Sequence, residues 1–274
     1  MNEKLTKGHI YEPNRINWGN DAVYALPKLN GLRVCFRDGG LFSYDNKRYS
    51  EKVVPHLYKV LSRVYRIYGR ALDGELYRHG WPLQRINAAG AVNRKSPGEE
   101  SHLLKFYVFD VVSSEHFLKR YRMYRNIVSS LQSEHVRSVQ SIRIETEEEA
   151  NSVYRNFIKR GYEGAIYRIN DCQYEFGRQW HVLKRKDWLD DEFKVIGLNE
   201  EIDKNGKPKG RMGALVCKTI SGKRFSVGTG FSAQEREDYW DNPPIKKKLK
   251  VKYLTLSEDG IPLNLSSLGI REQA

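Results

Sequence analysis

Short runs of apolar and aromatic residues recur along the first two thirds of the chain, each bounded by charged or turn-forming residues. Runs of this composition are typical of strands that are buried on at least one face. The strands predicted in this way cover residues 22–26, 32–37, 71–77, 103–112, 164–169, 180–186 and 192–198. Strands are therefore expected to dominate this part of the fold.

Three longer segments, residues 51–68, 114–132 and 147–160, place their apolar residues three or four positions apart. This spacing predicts amphipathic helices. The third helix is preceded by Thr146, and Glu149 stands three residues later, which is the pattern of a capping box. Helices that cover the faces of sheets predict an α+β domain.

The pattern changes after residue 189, where the acidic group 190–192 is followed by short strands. These are predicted at 193–198, 212–219, 223–228, 248–256 and in the C-terminal segment, together with a short helix that begins at Ser232 and has Glu235 three residues later. Five strands and one helix in a segment of this size fit a small β-barrel of the OB type, a fold that often binds oligonucleotides. We therefore expect two domains, residues 1–189 and 190–274.

The charge of the chain points to an anionic partner. The 274 residues include 47 Lys and Arg against 34 Asp and Glu, a formal net charge of +13. The positive residues are spread along the chain, and only KKKLKVK, residues 246–252, forms a run, which alternates like a strand. A folded basic surface is typical of proteins that bind nucleic acid.

Other classes of protein are not supported by the composition. No stretch of about 18 apolar residues is present and the N-terminus lacks the apolar core of a signal peptide, so the sequence predicts a soluble, cytoplasmic protein without a membrane partner. The three cysteines are far apart and lack Cys-x-x-Cys spacing, and the seven histidines show no His-Glu-x-x-His pattern. Neither a disulfide framework nor a zinc site is expected.

The segment LPKLNGLR, residues 26–33, has two interpretations. Asn30-Gly31 between apolar runs is typical of a β-hairpin whose charged neighbours carry no chemistry. Alternatively, Lys28 is a nucleophile, because an amine that lies among other cations or is partly desolvated loses its proton more easily and attacks phosphorus or carbonyl centres.

Three carboxylates have similar alternatives. Asp73 and Glu75 stand two apart in ALDGELY and therefore share a face of the predicted strand. They either form salt bridges on an exposed strand or hold a ribose or a metal ion. Glu163 precedes a glycine at the start of the strand in YEGAIYR and is either an ordinary turn residue or a site residue.

The remaining candidates are aromatic and basic. KFYVFDVV, residues 105–112, supplies Phe109 either to the core or as a ring that stacks on a purine at a pocket edge. VLKRKD, residues 182–187, places Lys184 and Lys186 on one face of a strand, which is either a solvated edge or a site for an anion.

The order of these motifs removes the ambiguity that each has alone. A lysine motif, a DGE strand, an aromatic strand, an EG strand and an LKxK strand follow one another over residues 28–186. This succession resembles the covalent nucleotidyltransferases, and most closely the ATP-dependent DNA ligases. GALVCKTISGKRFSVGTGFSAQEREDYW, residues 213–240, resembles the part of the ligase OB domain that reads Gly-Thr-Gly-Phe before a short helix.

The resemblance implies an adenylation domain of antiparallel sheets with flanking helices, followed by a small OB-fold β-barrel. It also implies a Mg²⁺-dependent (or Mn²⁺-dependent) enzyme that uses ATP to seal nicks in double-stranded DNA, in replication, repair or recombination. Lys28 would form a lysyl-AMP, the adenylate would pass to a 5′-phosphate, and the 3′-hydroxyl would then displace AMP.

The resemblance also assigns site residues. Those expected at the nucleotide are Arg33, Glu75, Phe109, Glu163, Lys184 and Lys186. Among these, Glu75 would hold the ribose hydroxyls, Phe109 would stack on adenine, and the two lysines would bind the α-phosphate. Glu163 and Asp73 are the expected metal ligands, and Arg33, Lys47 and Arg48 are expected to contact nucleic acid.

Three positions depart from the family pattern. Asn30 stands where Asp is commoner, and Tyr44 stands where the family usually has the arginine of Ser-Arg-x-Gly. Lys47 or Arg48 is the expected substitute for that arginine. Near the C-terminus, Arg271 is the residue that best matches the final basic motif.

Only 27 residues precede Lys28, too few for the extra domain by which NAD-dependent ligases recognise nicotinamide mononucleotide, so ATP is the expected adenylate donor. A monomer is expected, since sealing needs one active site. Two other hypotheses share the motifs: an RNA ligase or capping guanylyltransferase, and a degenerate ligase fold that only binds nucleic acid.

Overall fold

The structure is a computed structural model that describes residues 4–257 and 259–271. The chain forms two compact units, residues 1–186 and 187–274. The division falls between residues 186 and 187, close to the position predicted from the change in sequence pattern. Among the described residues, no helix is both long and apolar enough to cross a membrane.

The first unit contains two five-stranded sheets. Sheet A has the strand order β1-β10-β9-β2-β8. Its strands are β1 (Lys7–Ile10), β2 (Val23–Lys28), β8 (Ile142–Ile144), β9 (Gly164–Ile169) and β10 (Arg178–Arg185). All neighbouring strands are antiparallel except β1 and β10, which run parallel.

Sheet B has the strand order β4-β3-β5-β6-β7. Its strands are β3 (Leu32–Arg37), β4 (Gly40–Ser43), β5 (Leu72–Tyr77), β6 (Lys105–Val111) and β7 (Val136–Ser138). Only β6 and β7 are parallel. The predicted α+β class with mainly antiparallel sheets is confirmed.

Four helices flank these sheets: α1 (Pro55–Tyr68), α2 (Leu83–Gly90), α3 (Phe117–Ser130) and α4 (Glu147–Lys159). The sequence predicts α1, α3 and α4, but α2 has a short and weakly periodic sequence and is not predicted. The Thr146 hydroxyl caps α4 by accepting the backbone N–H of Glu149 at 3.1 Å. The second hydrogen bond of the predicted capping box is absent. The Glu149 carboxylate accepts the N–H of Glu145 instead of that of Thr146.

The hairpin interpretation of residues 26–33 is wrong. β2 pairs with β8 and β9 in sheet A, whereas β3 pairs with β4 and β5 in sheet B. The segment Leu29-Asn30-Gly31 therefore carries the chain from one sheet to the other. Residue 31 must be a glycine because the backbone of Leu76 packs against it: a Cβ at this position would lie 2.3 Å from the Leu76 carbonyl oxygen.

The second unit is built on a five-stranded antiparallel sheet with the order β13-β12-β11-β14-β17. Its strands are β11 (Leu189–Ile202), β12 (Pro208–Lys218), β13 (Arg224–Val227), β14 (Lys248–Tyr253) and β17 (Ser266–Arg271). A short hairpin, β15 (Thr255–Leu256) with β16 (Pro262–Leu263), precedes β17, and α5 (Ala233–Asp241) follows β13. The capping box of Ser232 and Glu235 at the start of α5 is confirmed.

The Gly-Thr-Gly-Phe segment joins the two edges of this sheet. Just after β13, the carbonyl of Thr229 accepts the N–H of Ser267 on β17 at 2.9 Å. Gly230 has φ of +85°, and a Cβ there would lie 2.6 Å from the carbonyl oxygen of Ser267. A glycine at this position therefore lets the sheet curl into the OB-type barrel.

The lysine run on β14 is paired with acidic residues on the neighbouring strand. Lys250 contacts Asp190 at 3.0 Å and Lys248 contacts Glu192 at 3.3 Å. Arg271 on β17 also contacts Glu192, at 3.5 Å. The acidic group that marked the change in sequence pattern thus offsets much of the local positive charge, although exposed pairs of this kind add little stability.

We predict that Gly31→Ala lowers the free energy of unfolding by about 1–3 kcal/mol, because the added methyl group must displace backbone that is already in contact. Gly19→Ala is the matched control, since a Cβ there meets only the Asn17 side chain at 3.5 Å. Urea titrations of both variants measure the difference. Equal stability of the two variants would contradict the close approach seen at Gly31.

Candidate active site

A cleft of about 320 Å³ lies between the facing surfaces of sheets A and B. Strands of both sheets line it, together with the turn after β4 and the segment before β1. The lining residues are Thr6, Lys7, Gly8, Leu26, Pro27, Lys28, Leu29, Gly31, Arg33, Tyr44, Glu75, Phe109, Ile166, Arg168, Val182 and Lys184. Five of the residues that the sequence predicts at a nucleotide or as a nucleophile are among them.

Glu163 holds two lysines at the end of this cleft. One carboxylate oxygen of Glu163 forms an ion pair with Lys28 Nζ, and the other accepts from Lys186 Nζ at 3.1 Å. Lys28 ends β2 and pairs with Gly164 of β9, so the side chain of Glu163 is brought to Lys28 by the register of the two strands. A Cβ at Gly164 would lie 2.1 Å from the carbonyl oxygen of Arg185, so the EG motif also allows close contact with β10.

Lys184 lines the cleft and has no carboxylate partner within the described residues. Burial lowers the pKa of Lys184, and the positive charges of Lys7, Lys28, Arg178 and Lys186 lower it further. Each of these charges disfavours the protonated form of Lys184. An anion in the cleft would relieve this repulsion, as expected for a phosphate site.

Glu75 lies opposite, on β5 of sheet B. Its carboxylate accepts the backbone N–H of Gly31 at 2.6 Å, which ties the crossing segment to the floor of the cleft. Burial raises the pKa of Glu75 to about 7, against the opposing effects of Lys28, the Gly31 N–H and Arg33. The crossing thus places the candidate nucleophile Lys28 and the predicted ribose-binding residue Glu75 on opposite walls of the cleft.

Asp73, which the sequence predicts as a metal ligand, is engaged by other side chains of the fold. Its side chain is fully buried, and its two oxygens accept from Arg33 Nε at 3.0 Å and Nη2 at 2.6 Å. The hydroxyl of Tyr174 donates a third hydrogen bond, at 2.7 Å. Since these donors satisfy the carboxylate, the structure gives Asp73 the role of holding Arg33.

The aromatic strand divides between core and cleft. Phe106 and Val108 of β6 are fully buried in the core, whereas Phe109 is partly exposed and lines the cleft. The guanidinium of Arg33 lies 5.0 Å from the centre of the Phe109 ring. The core interpretation therefore holds for one face of this strand, whereas Phe109 on the other face lies where the predicted stacking on a purine would take place.

The turn after β4 presents Tyr44 to the cleft. Lys47 and Arg48 follow on the same turn, but both are exposed and neither is among the described residues that line the cleft. The guanidinium of Arg48 lies 3.9 Å from the carboxylate of Glu51. Lys7 of β1 lies with its Nζ 5.7 Å from the centre of the Tyr44 ring. One edge of the cleft is therefore lined by a tyrosine and a lysine.

Sequence reasoning missed the cleft residues of β1 and the buried ion pair of Asp110 with Arg168. β1 is only four residues long, KGHI, and has no distinctive pattern. Arg168 could have been found, because it stands two residues after Ile166 and four after Gly164 on β9 and so shares their face. Asp110 is fully buried between Arg120, at 2.8 Å, and Arg168, at 2.9 Å.

Comparison with known proteins identifies the family. The profile of the ATP dependent DNA ligase domain matches residues 11–186, and that of the DNA ligase OB-like domain matches residues 205–271. The chain belongs to the ATP-dependent DNA ligases. DNA ligases of African swine fever virus isolates are 33–34% identical to this ligase chain over 272 residues, covering 89% of it and 62% of the viral proteins.

Solved ligase structures share the fold. A Lig E DNA ligase superposes with a TM-score of 0.80 at 23% identity, covering 99% of this ligase chain and 100% of the other. The Chlorella virus DNA ligase-adenylate gives a TM-score of 0.57 at 23% identity, and both chains are covered completely. The predicted family and the arrangement of an adenylation domain before an OB-like domain are confirmed.

We predict that the free energy of unfolding of the wild-type ligase falls between pH 5 and 8. The Glu75→Gln variant should not show this fall. The folded-state pKa of Glu75 is raised, so the stabilising contribution of its protonated form is complete below about 4.5 and is lost as the pH rises through about 7. Relative to Glu75→Gln, the free energy of unfolding of the wild type should fall by about 3 kcal/mol from below pH 4.5 to pH 8.

Denaturant titrations at each pH measure this difference, and Glu148→Gln, at an exposed position of α4, is the control. The amide introduced by Glu75→Gln would keep an oxygen for the Gly31 N–H. Parallel pH profiles for the wild type and Glu75→Gln would show that Glu75 ionises normally.

Proposed function

We propose that this chain seals nicks in double-stranded DNA and uses ATP as the adenylate donor. The observation that carries the proposal is the position of Lys28, which contacts Glu163 at the end of a cleft lined by Lys184, Glu75 and Phe109. The chain spans 62% of the length of the viral DNA ligases that it matches, so activity, substrate and partners are proposed here from the site and the family together.

In the first step, Lys28 Nζ attacks the α-phosphorus of ATP. A nitrogen–phosphorus bond forms, the bond from the α-phosphorus to the pyrophosphate oxygen breaks, and pyrophosphate leaves. The lysine must first lose a proton, and the carboxylate of Glu163, which already contacts Nζ, is positioned to accept it. Lys184 and Lys186 offset the charge of the phosphate in the transition state.

In the next two steps the adenylate moves to DNA. A 5′-phosphate oxygen attacks the phosphorus of the lysyl-AMP and releases Lys28. The 3′-hydroxyl then attacks the 5′-phosphate and displaces AMP, which closes the strand. Positioning of the reacting groups and neutralisation of charge supply most of the catalysis in such transfers.

A Mg²⁺ ion, or Mn²⁺ in its place, fits the donors at the lysine end of the cleft. Within the described residues no group of three or more acidic, cysteine or histidine side chains forms a cage for a metal. Mg²⁺ commonly takes one or two carboxylates and completes its shell with substrate phosphates and water, so Glu163 would serve as the protein ligand once a phosphate takes over its contacts with Lys28 and Lys186. When bound, the ion would neutralise charge on the phosphate oxygens.

The family and the OB-like barrel of the second unit both support DNA as the nucleic acid that this chain seals. Gly230 permits the edge-to-edge closure of the OB-like unit, and Lig E DNA ligases are described as binding DNA with a minimal scaffold. A monomer is proposed, since sealing of a nick needs one active site. The cytoplasm, of the host cell if a virus encodes the chain, remains the predicted location.

We predict that incubation with α-labelled ATP and Mg²⁺ transfers label to the protein through an acid-labile bond, and that Lys28→Ala abolishes this transfer. Lys59→Ala is the control, since Lys59 is an exposed residue of α1. Gel autoradiography reads the adduct. A folded wild-type protein that takes up no label would support the hypothesis of a degenerate fold that only binds nucleic acid.

We also predict that a nicked DNA duplex is sealed with ATP at least about tenfold faster than nicked RNA, a difference of about 1.4 kcal/mol in activation free energy, and that GTP does not replace ATP. Denaturing gels of end-labelled strands measure the products. Preferential sealing of RNA would favour an RNA ligase, and transfer of GMP would favour a capping guanylyltransferase.

A further inference from the structure

Trp180 is an exposed aromatic residue of sheet A that the proposed reaction does not use. It belongs to β10 and is 65% exposed. The pairing of β10 with β1 is interrupted here, since Gly8 pairs with Gln179 but the next residue, His9, pairs with Leu183. Residues 180–182 therefore form a bulge opposite β1, and bulges of this kind re-aim side chains beside active sites.

Two planar groups fix the orientation of the Trp180 ring. The ring of His9 is stacked on it, with 3.7 Å between the ring centres and 9° between the planes. The guanidinium of Arg15 lies 4.6 Å from the centre of the Trp180 ring. A single exposed aromatic side chain is common on protein surfaces. A ring that is held by two planar partners and still exposes most of its surface is, in addition, positioned to accept a further planar group.

The charges around this ring favour an anionic partner. The pKa of His9 is lowered by desolvation and by the positive charges of three neighbours, Arg15, Arg178 and Lys184. Glu12 acts in the opposite direction but is itself paired with Arg15 at 2.7 Å. Within the described part of the chain, Arg178 and Lys184 form no ion pair with a carboxylate. An apolar protein surface would leave these cations unpaired, whereas the phosphates of a nucleic acid would pair with them.

The stack lies near the lysine end of the cleft. Trp180 stands two residues before Val182 and four before Lys184, both of which line the cleft. At about 3.3 Å per residue, no more than about 13 Å of β10 separates Trp180 from Lys184. A DNA strand that is bound at the lysine end is therefore within a few nucleotides of the ring.

We propose that Trp180, His9 and Arg15 form a stacking site for an unpaired base of DNA. This site rests on the proposed function in that the polymer is taken to be DNA. Inside a duplex each base is covered on both faces by its neighbours, so only a base in an overhang, a flap or another single-stranded segment presents a free face to the ring. Aromatic side chains stack on every base, because each base has a π-face. The stacking site would hold the single-stranded part of a DNA end beside the cleft, whatever its sequence.

Equilibrium binding of short single-stranded DNA tests the stacking site without any catalytic step. Fluorescence anisotropy would compare a labelled oligodeoxynucleotide with a strand of the same length and charge that is built of abasic units. Stacking of one base on an aromatic side chain is worth about tenfold in affinity. Wild-type protein should therefore bind the strand that carries bases about tenfold more tightly than the abasic strand.

Trp180→Ala should bind both strands equally, with the affinity that the wild type has for the abasic strand, because the phosphate contacts remain. Trp180→Phe keeps an aromatic face and should retain most of the preference for bases. Arg178→Gln removes a charge but leaves the ring, so it should weaken the binding of both strands alike and reduce the dependence on salt. Tyr65→Ala, which removes an exposed aromatic side chain of α1, is the matched control and should bind as the wild type does.

Equal affinity of the wild type for the two strands, or binding of neither, would overturn the stacking site, as would a Trp180→Ala variant that keeps the preference for bases. These outcomes are independent of the labelling experiment. A protein that forms lysyl-AMP but does not distinguish the two strands would retain the proposed function and lose only the stacking site. A protein that prefers bases through Trp180 but forms no adduct would show the reverse.

Discussion

The cleft depends on a short crossing between two sheets. Leu29, Asn30 and Gly31 leave β2 in sheet A and enter β3 in sheet B, so residues close in sequence lie on opposite walls. Gly31 makes this possible because its missing side chain leaves room for the Leu76 carbonyl, and its N–H is fixed by Glu75. A hairpin at the same place would have kept Lys28 and Arg33 in one sheet.

Charge is arranged in two layers around the cleft. At the surface of the cleft, one carboxylate, Glu163, holds Lys28 and Lys186, while Lys184 lacks such a partner within the described residues. The sequence suggested that Lys28 would be surrounded by cations, and the structure shows Glu163 in contact with its amine. Beneath the cleft, Asp73 and Asp110 hold arginines in fixed positions, which is a use of buried acids that needs no metal ion.

The two units use their positive charge differently. In the first unit, cations converge on a concave site where burial and mutual repulsion lower the pKa of Lys184. In the second, the lysines of β14 face Asp190 and Glu192 across the strand pair and are largely compensated. Net charge alone therefore indicates the class of partner but does not locate the contact surface.

The family, the two-part fold and several of the residues that line the cleft could be predicted from the sequence. Motifs and local periodicity depend only on residues that are close in sequence. Strands such as Leu32–Arg37 and Gly164–Ile169 are therefore predicted at their observed bounds. Three relations emerged only from the folded chain: Asp73 binds Arg33, Tyr44 lines the cleft in place of Lys47 or Arg48, and Arg168 binds Asp110. These relations join residues far apart in sequence through strand register and sheet packing, and no local pattern encodes which distant partner will satisfy a buried charge.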